Sequence, residues 1–270
     1  MKTKTRTYKF MEYNSNSVFR SIPTSGADLV DMPITHKQDW YNAEKLLISG
    51  VIDPKECDVF KKESLAYFFY GRSAYHVAQD VGARGDKVYL PVCFLLNVNA
   101  VQISKVLPFD SGAFASGYYD GFIHKKMDIN NFSLAPTVEA IKGFIKFFYG
   151  DNNQYYRDNS RPINLSDYIE LEMQSYINLL SNRGEESFDE RYSAIEIISK
   201  VPVVLSDSII AMIVPLDFKI RYSKELAMLE TGGADIITYD TFGGSPNSYN
   251  GVIRDKLYDY LCQKGIVTKK

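Results

Sequence analysis

The sequence contains few of the residues that build metal sites and disulfide frameworks. It has three cysteines, Cys57, Cys93 and Cys262, and three histidines in 270 residues. An odd number of widely spaced cysteines without a C-x-x-C pair fits neither a disulfide framework nor a zinc site. The histidines and carboxylates lack the spacing typical of metal ligands, which disfavours a nuclease or a metal hydrolase. We therefore expect no metal, and the cysteine usage is typical of a reducing, cytoplasmic environment.

Charge and hydropathy argue against two further classes. The net charge is −2, so the chain lacks the overall positive charge typical of nucleic-acid-binding domains. No apolar run approaches the ~20 residues of a membrane-spanning helix, so we expect no membrane partner. Residues 1–10 are basic but no apolar segment follows them, so we expect no signal peptide. The glycine-rich nucleotide motifs G-x-G-x-x-G and Walker A are absent from the sequence as well.

Apolar and aromatic residues are plentiful. Hydrophobic residues make up 45% of the chain, with 20 tyrosines and 16 phenylalanines, which is ample for a core. Predicted strands and helices are interleaved without the regular βα alternation of a doubly wound sheet. The pattern predicts an α+β fold with helices flanking a split, mixed or antiparallel sheet. Within it, residues 88–96 are the most apolar strand, which Pro91 restricts to an edge or a bulge. We expect residues 1–30 to be an N-terminal arm and residues 31–270 to be a single domain.

Residues 34–72 concentrate the features that have chemical meaning. A short predicted strand ends in Thr35 and His36. Asp39 is the predicted N-cap of an amphipathic helix, and Gly50 is its predicted end. The segment therefore begins as a strand that ends at His36, followed by a capped helix.

An aromatic strand follows and leads into an arginine. It contains Tyr67 and Tyr70 and continues into Gly71 and Arg72, with His76 shortly after as a candidate contact for an acceptor. Aromatic rings suit a flat heterocycle, and a guanidinium donates two parallel hydrogen bonds to a phosphate or pyrophosphate. The strand end can thus line a cleft that binds a nucleotide. The alternative is an edge strand, a turn and a solvent-exposed arginine.

The order of these elements resembles the N-terminal half of an ADP-ribosyltransferase fold. It is most similar to the DNA-modifying toxins of bacterial toxin–antitoxin systems, in which a Thr-His strand end precedes a helix and an aromatic strand leads into an arginine. The resemblance covers about a sixth of the chain at this end. It implies that NAD is the substrate and that Thr35, His36, Tyr67, Tyr70 and Arg72 contact it.

A second segment, late in the chain, extends the resemblance. Glu196 is the lone carboxylate in the apolar predicted strand 193–199, where burial of an unpaired charge is costly. In the resembled family the catalytic glutamate opens a strand of this kind, which implies Glu196 and Arg72 as catalytic residues. The toxins tend to have alanine directly before the glutamate, whereas this chain has Ile195, so Glu190 is the alternative. A solvent-facing glutamate on an edge strand is the structural alternative.

These residue types suit cleavage of the bond between nicotinamide and ribose. Positive charge develops on the sugar in an oxocarbenium-like transition state, and a nearby carboxylate stabilises it. The resemblance implies an NAD-dependent ADP-ribosyltransferase, a toxin or anti-phage effector that modifies DNA or RNA. An antitoxin or a chaperone is then a possible partner. The alternatives are transfer to a protein, plain NAD hydrolysis and, from a different class, a catalytically silent nucleotide- or partner-binding module.

Two further segments are candidate parts of a site. Residues 108–114 are predicted to form a tight aromatic loop that either packs on the surface or contacts substrate. Residues 124–126 are a small basic cluster, and with Lys142 and Lys146 they form the candidate track for a nucleic acid.

Overall fold

A computed structural model shows that the protein is α+β. It has a mixed sheet of mostly antiparallel strands, a second sheet of two strands, and flanking helices, which confirms the predicted fold class. The structure describes residues 5–24, 26, 28–74, 87–181, 190–242 and 245–269.

Strands and helices alternate irregularly along the chain. The strands are β1 (Ile34–Asp39), β2 (Val51–Ile52), β3 (Lys55–Glu56), β4 (Ser64–Tyr70), β5 (Pro91–Leu96), β6 (Lys105–Leu107), β7 (Glu196–Ser199), β8 (Val203–Val204), β9 (Ile209–Pro215) and β10 (Asp235–Tyr239). The helices are α1 (Trp40–Ser49), α2 (Ser111–Ala115), α3 (Val138–Phe148), α4 (Asn152–Tyr156), α5 (Leu171–Ser181), α6 (Leu205–Ser208), α7 (Leu216–Arg221), α8 (Ser223–Thr231) and α9 (Tyr249–Gln263).

The chain packs into two compact units. The first consists of Met1–Asp31, Pro54–Tyr67 and Gln102–Val201, and the second of Met32–Asp53, Phe68–Val101 and Pro202–Lys270. The single domain expected over residues 31–270 stays a prediction.

An aromatic cluster forms much of the core of the first unit. Phe19 lies 5.2 Å from Tyr176 of α5 and 5.3 Å from Phe144 of α3, measured between ring centroids, in edge-on geometries. Edge-to-face contacts of this kind stabilise a core beyond the area they bury. Helix α3 presents this face because Thr137 caps its first turn and its apolar residues recur at helical spacing.

The N-terminal segment is part of this packing. The Phe19 side chain is 5% exposed, and Arg6 donates hydrogen bonds to the carbonyls of Phe114 and Lys125 and pairs with Asp120. Residues that were expected to form an arm therefore contribute core contacts to the first unit.

The second unit is built on a sheet in the order β10-β9-β5-β1-β4, to which β4 contributes its end, residues 68–70. Strands β9 and β10 are parallel, and the other pairs are antiparallel. Strand β5 is buried at every residue and has a neighbouring strand on both sides. The prediction that Pro91 lies on an edge strand or at a bulge is therefore wrong, since the register shift in β5 falls between Leu95 and Leu96. Pro91 is the first residue of a central strand, where its missing N–H is tolerated.

Asp39 caps helix α1 and Gly50 ends it, as the sequence predicts, but β1 does not end at His36: it continues to Asp39, so the helix follows without a loop. The Asp39 carboxylate accepts a hydrogen bond of 2.7 Å from the Asn42 N–H, and Gly50 ends the helix with a φ of 71°. Glycine adopts that left-handed conformation at little cost. The single tryptophan, Trp40, packs edge-on against Phe218 at 5.0 Å between ring centroids.

Candidate active site

Glu196 is the first residue of β7 and is 3% exposed. It lies opposite Leu107 of β6, and its Oε2 accepts a hydrogen bond of 3.3 Å from the Ser111 N–H. Ser111 is the first residue of α2, where a backbone N–H has no partner within its own helix. The first N–H of α2 thus donates a hydrogen bond to the carboxyl of Glu196, the first residue of β7.

The environment of Glu196 favours its protonated form. Burial raises the pKa of this carboxyl well above its ordinary value of 4.5, and the negative charge of Asp110 raises it further. Hydrogen bonds from Ser111 and the positive charge of Lys105 act in the opposite direction. Because burial is the largest of these effects, the carboxyl holds its proton to higher pH than an exposed glutamate does.

Tyr67 belongs to the same cluster as Glu196. Its hydroxyl is 2.7 Å from the Cys57 Sγ and also interacts with the Ser111 side chain. Burial raises the pKa of the Tyr67 hydroxyl strongly, and the negative charge of Glu196 adds to that rise. Two predicted site residues from distant parts of the sequence therefore meet in the first unit.

The predicted loop at residues 108–114 is partly helical instead. Asp110 caps α2, and its carboxylate accepts a hydrogen bond of 2.6 Å from the Ala113 N–H. The backbone N–H of Asp110 donates to the carbonyl of Arg191, at 3.0 Å. An Asp-Ser-Gly sequence is a helix-start signal that could have revealed this element.

Lys105 was not predicted as a site residue. It begins β6, is fully buried, and donates hydrogen bonds to the Met11 carbonyl at 2.6 Å and to Asn130 Oδ1 at 2.9 Å. Burial lowers its pKa to about 8, although the negative charges of Asp128 and Glu196 oppose this change. A buried lysine in a three-residue strand gives no recognisable sequence signal.

Glu190, the alternative to Glu196, lies in a different environment. It begins the 3-10 turn Glu190–Tyr192 and is partly exposed. The predicted strand 193–199 therefore starts at Glu196 instead, after this turn. Between the two candidates, Glu196 is the buried one.

Thr35 and Arg72 meet in the second unit. The Thr35 hydroxyl donates a hydrogen bond of 2.6 Å to the Arg72 carbonyl, and the Arg72 side chain is 3% exposed. Two residues further along β1, the buried Lys37 donates to the Ser73 carbonyl at 2.7 Å and to Asn250 Oδ1 at 2.9 Å. One face of β1 therefore anchors the turn that carries Arg72, and Lys37 and Asn250 are members of this cluster that the sequence did not reveal.

His36 lies on the other face of β1. Successive side chains of a strand alternate between faces, so His36 and Thr35 point in opposite directions. The His36 ring lies 5.4 Å from the Phe68 ring between centroids, and its Nε2 is 3.1 Å from Gln38 Nε2. Tyr70 is fully buried, and its hydroxyl accepts a hydrogen bond of 2.9 Å from the Met32 N–H. Contacts of both residues with NAD stay predictions.

The predicted basic track is interrupted by ion pairs. Lys142 lies 3.0 Å from Asp31 and Lys146 lies 2.6 Å from Asp28. Both lysine charges are thus already matched by carboxylates of the N-terminal segment. His76 lies outside the described residues.

Metal-ligand clusters and membrane-spanning helices are both absent from the described residues. There, no group of three or more histidine, cysteine, aspartate or glutamate side chains is placed to hold a metal ion. Of the helices in the same ranges, none has both the length and the apolar character required to cross a bilayer.

The sequence matches no protein-family model, and no curated protein is significantly similar to it.

Proposed function

We propose that this chain is an NAD-dependent ADP-ribosyltransferase that cleaves the nicotinamide–ribose bond and transfers ADP-ribose to a nucleic acid. The observation that carries the proposal is Glu196, a buried carboxyl held at the start of β7 by Ser111 and accompanied by Tyr67. A buried carboxylate is effective against developing positive charge, because little water screens the interaction.

Each proposed site residue has a role that its chemistry suits. Glu196, when ionised, stabilises the positive charge that develops on the ribose and accepts a hydrogen bond from a ribose hydroxyl. The Arg72 guanidinium binds the pyrophosphate. Thr35 supports this arginine by fixing the backbone of its turn. His36, Tyr67 and Tyr70 are proposed to contact the NAD molecule.

The preference for a nucleic-acid acceptor rests on the resemblance to the DNA-modifying toxins. The same resemblance is the basis for proposing that the protein is a toxin or an anti-phage effector with an antitoxin or a chaperone as partner. The net charge of −2 does not itself favour a nucleic acid, and the labelling experiment therefore offers each class of acceptor separately.

The experiment is a labelling assay with purified protein. NAD labelled in its adenylate phosphate is incubated with DNA, RNA and cell protein in separate reactions, and nicotinamide release is measured in each. We expect the label on a nucleic acid and a loss of about 100- to 1000-fold in rate for Glu196→Gln. Glu190→Gln is the matched control, because it makes the same change at the alternative glutamate and should retain activity. Label on protein would show that the acceptor is a protein and not a nucleic acid. Nicotinamide release without any labelling would indicate NAD hydrolysis.

Expression in bacteria separates an enzyme from a binding module. If the chain modifies an essential nucleic acid, the wild type should stop growth, whereas Glu196→Gln at the same level should be harmless. A silent binding module predicts equal growth, because the substitution barely alters the shape of the side chain. Equal growth together with no nicotinamide release by the pure wild type would refute the proposed enzyme.

A further inference from the structure

Lys105 and Glu196 share one face of the β6–β7 pair. Leu107 lies directly opposite Glu196, and Lys105 lies opposite Ile198. Side chains two residues apart in a strand point the same way, so Lys105 is on the same face as Leu107 and therefore as Glu196. Diagonal neighbours of this kind are separated by roughly 7–8 Å. The register alone thus places a buried cation near the carboxyl.

The amino group of Lys105 is fixed by uncharged acceptors. Its two hydrogen bonds go to the Met11 carbonyl and to Asn130 Oδ1, neither of which carries a charge. Asn130 is itself held, because its Nδ2 donates to the Lys9 carbonyl at 3.1 Å and to the Asp128 carboxylate at 2.8 Å. These hydrogen bonds therefore fix the lysine without neutralising its charge, and that charge acts on the carboxyls of Asp128 and Glu196.

We propose that Lys105 is a positioning residue whose buried positive charge favours the ionised form of the Glu196 carboxyl, against the effects of burial and of Asp110. Its catalytic significance rests on the function proposed above, since an uncharged carboxyl cannot stabilise an oxocarbenium ion. The nearby charge of Asp110 favours the protonated carboxyl, and Lys105 is the cation that opposes it. The other groups that act on this pair are Ser111 and Tyr67 beside Glu196, Cys57 beside Tyr67, and Asp128 beside Lys105.

The direct measurement is a titration of Glu196 followed by carbon NMR. The protein is labelled at the side-chain carboxyl of glutamate, and the Glu196 resonance is identified by its loss in Glu196→Gln. We expect the midpoint to move upward by about one pH unit in Lys105→Met, which is the order expected for unit charges at this spacing in a protein. Lys105→Arg should restore the midpoint, because it retains the charge. Lys200→Met is the matched control, because it removes an equal charge directly after β7 from a lysine that pairs with Glu63.

The reciprocal titration does not depend on a folded Lys105→Met variant. Lys105 is followed by NMR of its labelled amino group in the wild type and in Glu196→Gln. Because the negative charge of Glu196 raises the pKa of Lys105, the glutamine variant should titrate at lower pH. An unchanged Lys105 midpoint, or a Glu196 midpoint that is the same in Lys105→Met and the wild type, would overturn the proposal.

Activity measurements distinguish failure of this proposal from failure of the proposed function. If NAD is cleaved, the acidic limb of the rate profile should move to higher pH in Lys105→Met and return in Lys105→Arg. If both titrations shift as expected but no NAD is cleaved, the enzyme proposal fails and the coupling of the two residues stands. If NAD is cleaved with a pH profile that Lys105→Met does not change, the proposed coupling of Lys105 to Glu196 is refuted and the proposed enzymatic activity is retained.

Discussion

Replacing Glu196 by glutamine is expected to remove a pH dependence from the stability of the fold. In the unfolded chain the carboxyl titrates near its ordinary value of 4.5, whereas burial in the folded chain raises its pKa well above that value. Between these two values the folded protein keeps the proton and the unfolded chain has lost it. The free energy of unfolding of the wild type therefore falls as pH rises through this window. The glutamine side chain does not titrate, so the unfolding free energy of the variant does not fall for this reason as pH rises.

The size of the effect follows from linkage. The difference in unfolding free energy between variant and wild type should grow in favour of the variant by about 1.4 kcal/mol for each pH unit inside the window. Below the window both side chains are neutral, and the amide oxygen can still accept from the Ser111 N–H. The difference there should thus stay within about 1 kcal/mol. Above the pKa of the folded state the difference becomes constant, and the pH at which it does so measures that pKa.

Urea unfolding at a series of pH values measures this difference. The slope of the unfolding free energy against urea concentration should be equal in both proteins, so that a change in the urea midpoint reports a change in stability. Glu139→Gln, at an exposed position in the first turn of α3, controls for the exchange of a carboxyl for an amide. A difference between Glu196→Gln and the wild type that is independent of pH would refute the argument that burial holds a proton on Glu196.

Three further predictions concern other parts of the two units. Arg72→Ala should lower NAD cleavage on the order of 100-fold, and Arg72→Lys should not restore it, because a point charge replaces a planar fork; full activity of the lysine variant in the nicotinamide assay would contradict the bidentate role. Tyr67→Phe should lower the free energy of unfolding by about 1 kcal/mol through loss of its hydroxyl hydrogen bonds, and an unchanged urea midpoint would count against those bonds. Gly143→Ala should destabilise the fold by roughly 1–3 kcal/mol, because a Cβ there would lie 2.4 Å from the Pro23 carbonyl oxygen. Gly121→Ala, where a Cβ meets nothing within 4 Å, is its control, and equal thermal midpoints would disprove the close approach.

Local sequence signals predicted local structure well. Asp39 and Gly50 mark the two ends of α1 because the cap and the left-handed glycine act within a single helical turn. The prediction for Pro91 was wrong because the strands that flank it come from distant parts of the sequence. The neighbours of β5 are β1 and β9, which lie far from it in the sequence on either side, and no pattern within β5 reveals both.

The same distinction applies to the candidate site. Glu196 could be predicted because a lone carboxylate interrupts an apolar segment, and that contrast is visible without a structure. Lys105 could not, because a lysine in a short strand is usually exposed and its acceptors, Met11 and Asn130, come from distant parts of the chain. Ser111 acts on Glu196 through its side chain and through its backbone N–H. Any residue except proline could make the backbone contact, so the sequence carries no signal for it.

The position of the single tryptophan gives the two units separate optical signals. Trp40 packs against Phe218 and Tyr222, so its emission reports on the second unit, whereas the first unit contains tyrosine but no tryptophan. Selective excitation of tryptophan during unfolding therefore follows one unit, and circular dichroism follows both. A single domain over residues 31–270 requires the two transitions to coincide, because coincidence of different probes is the signature of all-or-none unfolding. Separate transitions would show that each unit unfolds on its own.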